Sequence, residues 1–335
     1  MQPTTQNPQF NPATPSSKKS VIVISSHVVR GSIGNRAAVF ALETLEHPVW
    51  AVPTIILPWH PGHGQANRML IDDTSFMQLL EDLKSGPSGY AKGNSNWLDE
   101  VGAVLTGYMA SAEQAKAVAE FISFIKSKNK NVIHICDPVM GDGDKLYIDQ
   151  DTAQAIKEHL VPISDAITPN LFELGWLTGK KVTTVQEALI EAQKFKNKIV
   201  LTTSIAGMMR NQIGNLLVYG DNALFAEHRI VGGPTNGAGD LTAAVFTAHL
   251  LNTKDKEITL QRTTASVFEV IANSAKQGAD ELLLEANTHC LKRPMAMVQI
   301  RALGQSPTLP PNIRKAPKRN KNISQKNISS SDKKA

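Results

Sequence analysis

Gly232-Gly-Pro-Thr-Asn-Gly-Ala-Gly-Asp240 runs without a break into Leu241-Thr-Ala-Ala-Val-Phe-Thr-Ala-His-Leu-Leu251. A glycine-rich turn thus opens an apolar helix. Gly237, Ala238 and Gly239 let backbone approach a ligand closely, and the N–H groups of the first helical turn point at whatever sits in front of them, which suits an anion. Asp240 adds a carboxylate inside that turn, placed to take a proton from a hydroxyl attacking a phosphoryl group held by those amides. A plainer reading fits the same letters: a tight turn in which Asp240 is only the acidic residue that helix starts favour.

Around this segment, short β-branched runs alternate with stretches of helical period. Strands are predicted over 21–25, 50–57, 103–106, 131–136, 166–168, 199–203, 216–218 and 224–228. Helices are predicted over 35–45, 74–83, 111–127, 151–160, 170–178, 185–196, 238–252 and 260–276, several opening on Ser, Thr, Asp or Asn. The alternation predicts an α/β fold, βα units around one central, mostly parallel sheet. Ligands in such folds sit at the C-terminal ends of the strands. The chain has no internal repeat and no second domain boundary.

Other strand ends carry chemistry as well. Asp137-Pro-Val-Met-Gly-Asp-Gly-Asp144 begins where an apolar strand stops, and its three carboxylates can organise a cation or simply close the strand. Ile167-Thr-Pro-Asn-Leu-Phe-Glu173 places Asn170 and Glu173 at i and i+3, which suits an indirect magnesium site or a helix cap with its first-turn acid. His60-Pro-Gly-His-Gly64 has two imidazoles without a Cys or carboxylate at metal spacing, so a substrate contact or a turn is the better reading than zinc. Gly175-Trp-Leu-Thr-Gly-Lys-Lys181 is one residue short of a P-loop and has no Ser or Thr after the lysine; a helix C-terminus at Gly179 explains it. No Gly-x-Gly-x-x-Gly follows the first strand, which leaves a nicotinamide cofactor without support.

The 335 residues are 41% apolar and 19% charged, enough to fill a large core. No apolar run reaches the roughly 18 residues of a membrane span, and the polar first residues do not read as a secretory signal. The two cysteines, Cys136 and Cys290, make no disulfide framework, and the expected compartment is the cytoplasm. The net charge of +5 sits mostly in the tail: residues 304–335 hold eight basic residues against Asp332 alone. The body from 20 to 303 is left at about −4, so it carries no basic field for nucleic acid. The expected division is a disordered tail over 1–19, one domain over 20–303 and a disordered basic tail over 304–335.

Taken together, the segments resemble the ribokinase-like superfamily and, within it, the pyridoxal kinases. The resemblance rests on Ser26-His-Val-Val-Arg-Gly31 with Gly34 and Asn35, Leu105-Thr-Gly-Tyr108, Asp137-Pro-Val-Met-Gly-Asp142, Thr168-Pro-Asn170 with Glu173, and Gly237-Ala-Gly-Asp240. In order, these cover the chain from about 21 to about 303. The resemblance implies helices on both faces of the sheet and ATP-dependent phosphorylation of the 5′-hydroxymethyl group of pyridoxal, extending in many members to pyridoxine and pyridoxamine. Asp240 is then the base, and Gly237, Ala238 and Gly239 form the anion hole for the migrating phosphoryl group. Ser26 would bind the pyridine ring, Val29 and His60 would wall it, and Gly62 lies on the same loop. Asp137, Thr168, Asn170, Glu173 and Thr203 match positions near ATP, with Asp137 and Glu173 also near magnesium and a monovalent cation such as K+. The implied assembly is a homodimer, with pyridoxal and ATP as its small-molecule partners.

Some positions depart from the family pattern. Pro61-Gly62 and His63-Gly64 replace the Thr-Gln common after the histidine of the second loop, Arg30 replaces a tyrosine, and Asn236 stands where glycine is usual. The segment from 228 to 240 is short and glycine-rich. Hydroxymethylpyrimidine kinases share the fold and are the alternative, but their dual-activity branch places a cysteine just beyond the glycines, where this chain has Leu241. An alternative of another class has the basic tail attracting nucleic acid or another ligand by charge, although no aromatic lies within it for base stacking.

Overall fold

In the computed structural model, residues 18–86 and 97–304 are described. Of the tails expected over 1–19 and 304–335, residues 1–17 and 305–335 lie outside the described residues. At the end of the N-terminal tail, Lys18 Nζ donates to Leu45 O at 2.8 Å and Lys19 Nζ to Asp99 O at 2.8 Å.

The chain runs β1 (Ser20–Val28), α1 (Asn35–Thr44), β2 (Val49–Leu57), β3 (Met69–Leu70), α2 (Asp73–Ser85), β4 (Val101–Thr106), α3 (Ala112–Lys128) and β5 (Ile133–Cys136). A small hairpin, β6 (Gly141–Asp142) and β7 (Lys145–Leu146), precedes α4 (Gln150–Ala155), α5 (Val161–Ile163), β8 (Ala166–Ile167), α6 (Leu171–Thr178) and α7 (Val185–Ala192). The last part is β9 (Ile199–Ala206), β10 (Gln212–Tyr219), β11 (Asn222–Arg229), α8 (Ala238–Asn252), α9 (Lys256–Lys276), α10 (Thr288–Lys292) and β12 (Gln299–Leu303).

Ten strands form one sheet in the order β12-β11-β10-β9-β8-β5-β4-β1-β2-β3. The stretch from β2 to β9 is parallel, and β3 on one side and β10 to β12 on the other are antiparallel. From β1 the chain moves outward to β2 and returns on the other side as β4, so a crevice opens at the C-terminal ends of β1 and β4. Alternation along β1 feeds two cores. Ile22 and Ile24 pack with Phe76, Phe121 and Ile122 on one face, and Val21 and Val23 pack with Ala41, Leu241 and Phe246 on the other. Helices therefore cover both faces, which is why the central strands lack a polar side. Helix α8 is buried from Leu241 to His249, so it is enclosed around its whole circumference, with Thr242, Thr247 and His249 its polar members there.

Where the elements differ from the sequence expectation, the cause is local. Helix α9 starts four residues before 260 because Asp255 Oδ1 caps it, accepting the Ile258 N–H at 3.0 Å. Strand β5 starts at Ile133 instead of 131: Asn129 Nδ2 donates to Leu98 O and Val101 O, both at 3.1 Å, while Asn129 Oδ1 accepts the Asn131 N–H at 3.1 Å and holds 130–131 in a turn. The helix predicted over 151–160 continues to Ile163 through a π turn at Ile156–Leu160, one way to accommodate Pro162, which has no N–H to give. Gly179 ends α6 in the left-handed conformation (φ 70°), as expected for the near-miss P-loop segment. Strand β12 was not expected from sequence, and Arg301 ties it to the buried Glu227 of β11 at 3.0 Å.

His134, in the middle of β5, is fully buried beside Thr106 Oγ1 at 3.0 Å. Burial, helped by Lys126 and Lys198, lowers its pKa to about 3. An unfolded chain binds this proton below about 6.5 while the folded chain does not, so stability is lost as pH falls from about 6.5 towards 3, by several kcal/mol at the lower end. His134→Gln is expected to flatten that part of the pH dependence when unfolding free energies of the two proteins are compared by urea titration. An unchanged slope would show that the imidazole is not the group responsible.

Candidate active site

The N-terminus of α8 is built by Gly237, which sits in the left-handed region (φ 82°) as the residue before the helix. A Cβ there would lie 2.1 Å from Ser32 O, so no other residue fits without moving the β1–α1 loop. Gly239, by contrast, has open space where a Cβ would go. Ala238 N–H already donates to Thr235 O at 3.0 Å, so Gly237 and Gly239 offer the readier amides to an incoming anion. Asp240 is the third helical residue, and burial raises its pKa to about 6 against the pull of the Gly34 N–H and its own N–H. Such a carboxylate is ionised at neutral pH and basic enough to accept a proton.

Asp240 shares its crevice with the strand ends. Ser25, Gly34, Thr106, Gly107 and Asp137 line the same cavity as Asp240, with Val23, Ala38, Leu105 and Ala243 as its apolar floor. Asp137 is held from both sides, its N–H donating to Thr106 O at 2.8 Å and its Oδ1 accepting from Thr168 Oγ1 at 2.8 Å. Burial drives its pKa up, and the carboxylates of Glu173 and Asp240 drive it further.

Glu173 forms a capping box with Asn170 at the start of α6. Its Oε2 accepts the Asn170 N–H and its Oε1 the Met140 N–H, both at 2.9 Å, while Asn170 Nδ2 donates to Gly141 O at 2.8 Å. Burial raises the Glu173 pKa to about 7 despite these amides. The cap reading and the acid reading of the 167–173 segment are therefore both met by the same side chain. Thr203 is bridged to Asn170 in parallel register, its N–H donating to Pro169 O at 3.0 Å.

Two like-charged carboxylates buried together gain from a cation, and this is the feature that fits Asp137 and Glu173 to magnesium. Among the described residues, however, no group of three or more His, Cys, Asp or Glu side chains is arranged to hold a metal ion. Both Glu173 oxygens already accept backbone amides. The arrangement suits a hydrated Mg2+ held largely through water and phosphate oxygens.

On the opposite side, the β1–β2 register slips between Ser25 and His27, and Ser26 lies beside Gly34, which lines the crevice. A Cβ on Gly34 would lie 2.5 Å from Ser26 Oγ, so glycine is what leaves that hydroxyl room. Val29 is 62% exposed on the rim, with its N–H donating to Leu57 O at 2.8 Å. His60 Nδ1 accepts the Gly62 N–H at 3.0 Å, which fixes the neutral ring with its proton on Nε2. Its pKa is lowered by burial and by His63.

The structure thus gathers Asp137, Thr168, Asn170, Glu173, Thr203, Gly237, Ala238, Gly239 and Asp240 at one edge of the sheet, with Ser26 beside them. Val29, His60 and Gly62 stand further out, on the rim loops. It also adds a residue the sequence did not single out. Tyr147 donates its N–H to Met140 O at 3.1 Å, and its hydroxyl pKa is raised by desolvation and by the carboxylates of Glu173, Asp137, Asp240 and Asp142, although 54% of the residue is exposed. Tyr147 follows β7 and belongs to no motif, so only the hairpin geometry reveals it.

Comparison with known proteins finds kinases similar to this chain. The family model described as phosphomethylpyrimidine kinase matches residues 94–284. A pyridoxal kinase of Rubrobacter xylanophilus is 32% identical over 292 residues, covering 84% of this chain and 97% of the relative. One from Corynebacterium diphtheriae is 29% identical over 287 residues, covering 84% and 98%. The structure of Leishmania donovani pyridoxal kinase in complex with ADP and pyridoxamine superposes with a TM-score of 0.77 at 25% identity, over 86% of this chain and all of that one. Pyridoxal kinase from Entamoeba histolytica gives a TM-score of 0.76 at 24% identity, covering 85% of this chain, and shares the fold. With the ordered motifs in place along the sheet edge and this length of chain matched, the protein belongs to the pyridoxal kinase family, within the wider group of phosphomethylpyrimidine kinase folds.

Proposed function

We propose that this chain transfers the γ-phosphoryl group of ATP to the 5′-hydroxymethyl group of pyridoxal, giving pyridoxal 5′-phosphate and ADP. The observation that carries the reading is Asp240, raised to about 6 and seated in the first turn of α8 directly behind the amides of Gly237 and Gly239. Asp240 takes the proton of the 5′-hydroxyl as its oxygen bonds to the γ-phosphorus, while the bond from that phosphorus to the β–γ bridging oxygen breaks and ADP leaves. The glycine amides and the positive end of α8 meet the charge that gathers on the phosphoryl oxygens.

Thr168, Asn170 and Thr203 line the nucleotide side, and Asp137 and Glu173 would hold Mg2+, with a monovalent cation such as K+ nearby. Bound there, the divalent ion neutralises phosphate charge. On the substrate side, Ser26 reaches the ring nitrogen, the Nε2–H of His60 offers a donor to a ring oxygen, and Val29 and Gly62 border the ring. The homodimer and the cytoplasmic location belong to the same proposal. Two free, buried cysteines suit a reducing compartment, and Met69 and Leu70 leave an apolar edge on β3. Among the described residues no helix is long and apolar enough to cross a membrane.

Competition separates the two kinase readings. Full-length protein with ATP and magnesium should favour pyridoxal over hydroxymethylpyrimidine in kcat/KM by about 100-fold or more. The reverse order would give the pyrimidine kinase instead. Within the pyridoxal reading, Ser26→Ala should raise KM for pyridoxal about 10-fold while kcat changes little, because a ring contact binds ground and transition states alike. A loss confined to kcat would contradict that role.

A further inference from the structure

The rim of the crevice is held by a group that the transfer chemistry does not use. Glu281, in the loop between α9 and α10, aims Oε1 at Arg30 at 3.4 Å and at His63 Nε2 at 3.3 Å. Its side chain is 16% exposed, and Oε1 itself is buried. The backbone of Gly31 wraps the same carboxylate, since a Cβ on that residue would lie 3.3 Å from both of its oxygens. Asp280 adds a looser contact to Arg30 at 4.0 Å. One carboxylate thus joins two loops far apart in sequence, 29–34 and 60–64.

Both loops lead to the glycine turn. On the first arm, Ser32 O packs against Gly237 so closely that a Cβ at that glycine would clash. On the second, the His63 N–H donates to His60 O at 2.9 Å, and a Cβ on Gly62 would lie 3.6 Å from Asn236 Nδ2. Released from Glu281, the 60–64 loop would keep its own short turn and the Trp59 Nε1–H bond to Gly64 O at 3.2 Å, with the Val29 and Arg30 N–H groups on Leu57 O and Pro58 O holding the strand end before it. Residues 61–64 are exposed and two of them are Gly, so beyond those bonds the loop has little packing of its own to oppose opening.

We propose that Glu281 is the positioning residue that fastens the 29–34 and 60–64 loops together as the substrate-side wall, thereby setting the affinity for the ring-bearing substrate and not the rate of phosphoryl transfer. The affinity part rests on the kinase reading above; the fastening of the loops does not.

The test uses Glu281→Gln in the full-length protein, which removes the charge and keeps the shape. KM for pyridoxal should rise about 5–10-fold, with kcat and KM for ATP each within about twofold of the parent. Amide hydrogen exchange in a peptide spanning 59–68 should quicken about 5-fold or more while α8 stays protected. His63→Gln should reproduce part of both effects, and the double variant should be no worse than the more damaging single one. If Glu281→Gln does not fold, His63→Gln and Arg30→Gln carry the test, each expected to move KM for pyridoxal and exchange over 59–68 in the same direction by a smaller amount. Unchanged exchange over 59–68, or a KM for pyridoxal that does not move, would overturn the proposal. So would equal losses in kcat and both KM values accompanied by a fall in Tm. Failure of the parent protein to phosphorylate pyridoxal would sink the kinase reading alone, since the exchange result still decides whether Glu281 fastens the loops.

Discussion

Asp240→Asn is expected to lower kcat for pyridoxal phosphorylation by about 10²–10⁴-fold while ATP binding stays close to that of the parent. The amide keeps the shape of the side chain and its place in the first turn of α8 but cannot accept the hydroxyl proton. The pH profile supplies the second half of this prediction. A base must be ionised to act, so with a pKa of about 6 the parent's kcat/KM should fall as pH drops through that value. The variant's residual rate should lose this limb. Steady-state rates across the pH range, with nucleotide binding measured by calorimetry, check both parts. A variant that keeps a tenth or more of the parent rate would remove Asp240 from the role of base.

The second large effect belongs to the glycines, and it separates two reasons for their being small. Gly237→Ala forces a Cβ to within 2.1 Å of Ser32 O at a positive φ. The left-handed conformation alone costs about 1–2 kcal/mol, and the clash must push the β1–α1 loop away from α8. Both Tm and kcat should therefore drop, kcat by about 10²–10³-fold as the amides lose their aim. At Gly239 nothing lies within 4 Å of the added atom, so Gly239→Ala should leave Tm near that of the parent. Its expected loss appears only with ligand present, as weaker ATP binding or slower turnover, because the open space is where phosphate would approach. Thermal unfolding and kinetics on the two variants check this. A Gly239→Ala protein as active as the parent would mean that no ligand comes near that turn.

Much of this site was legible before any coordinates, and the reason is local. Gly237 to Asp240, Asn170 with Glu173, and Asp137 at the end of an apolar strand each combine a helix or strand end with the one side chain that chemistry needs there. A parallel sheet then brings those ends to a common edge. The segments that escaped prediction lack such local signals. Strand β12 is a half-exposed edge held by pairing to β11 and by Arg301 on Glu227, both long-range contacts. Tyr147 gains its place from a hairpin of two-residue strands, too short to announce itself. The Glu281 junction joins residues some 250 positions apart at Arg30 and more than 200 apart at His63, so no window of sequence contains it. Arg30 and the 61–64 segment looked in sequence like departures that put the substrate loops in doubt. In the structure Arg30 and His63 share one carboxylate, and Gly62 donates its N–H to His60 Nδ1 and lies next to Asn236.

The measurement that tests the central claim most directly is product formation by the purified full-length protein with ATP, magnesium and pyridoxal. Pyridoxal 5′-phosphate and ADP should appear in equal amounts, with no ADP formed beyond background when pyridoxal is omitted. ADP released without pyridoxal 5′-phosphate, or no turnover from a protein shown to be folded, would contradict the account.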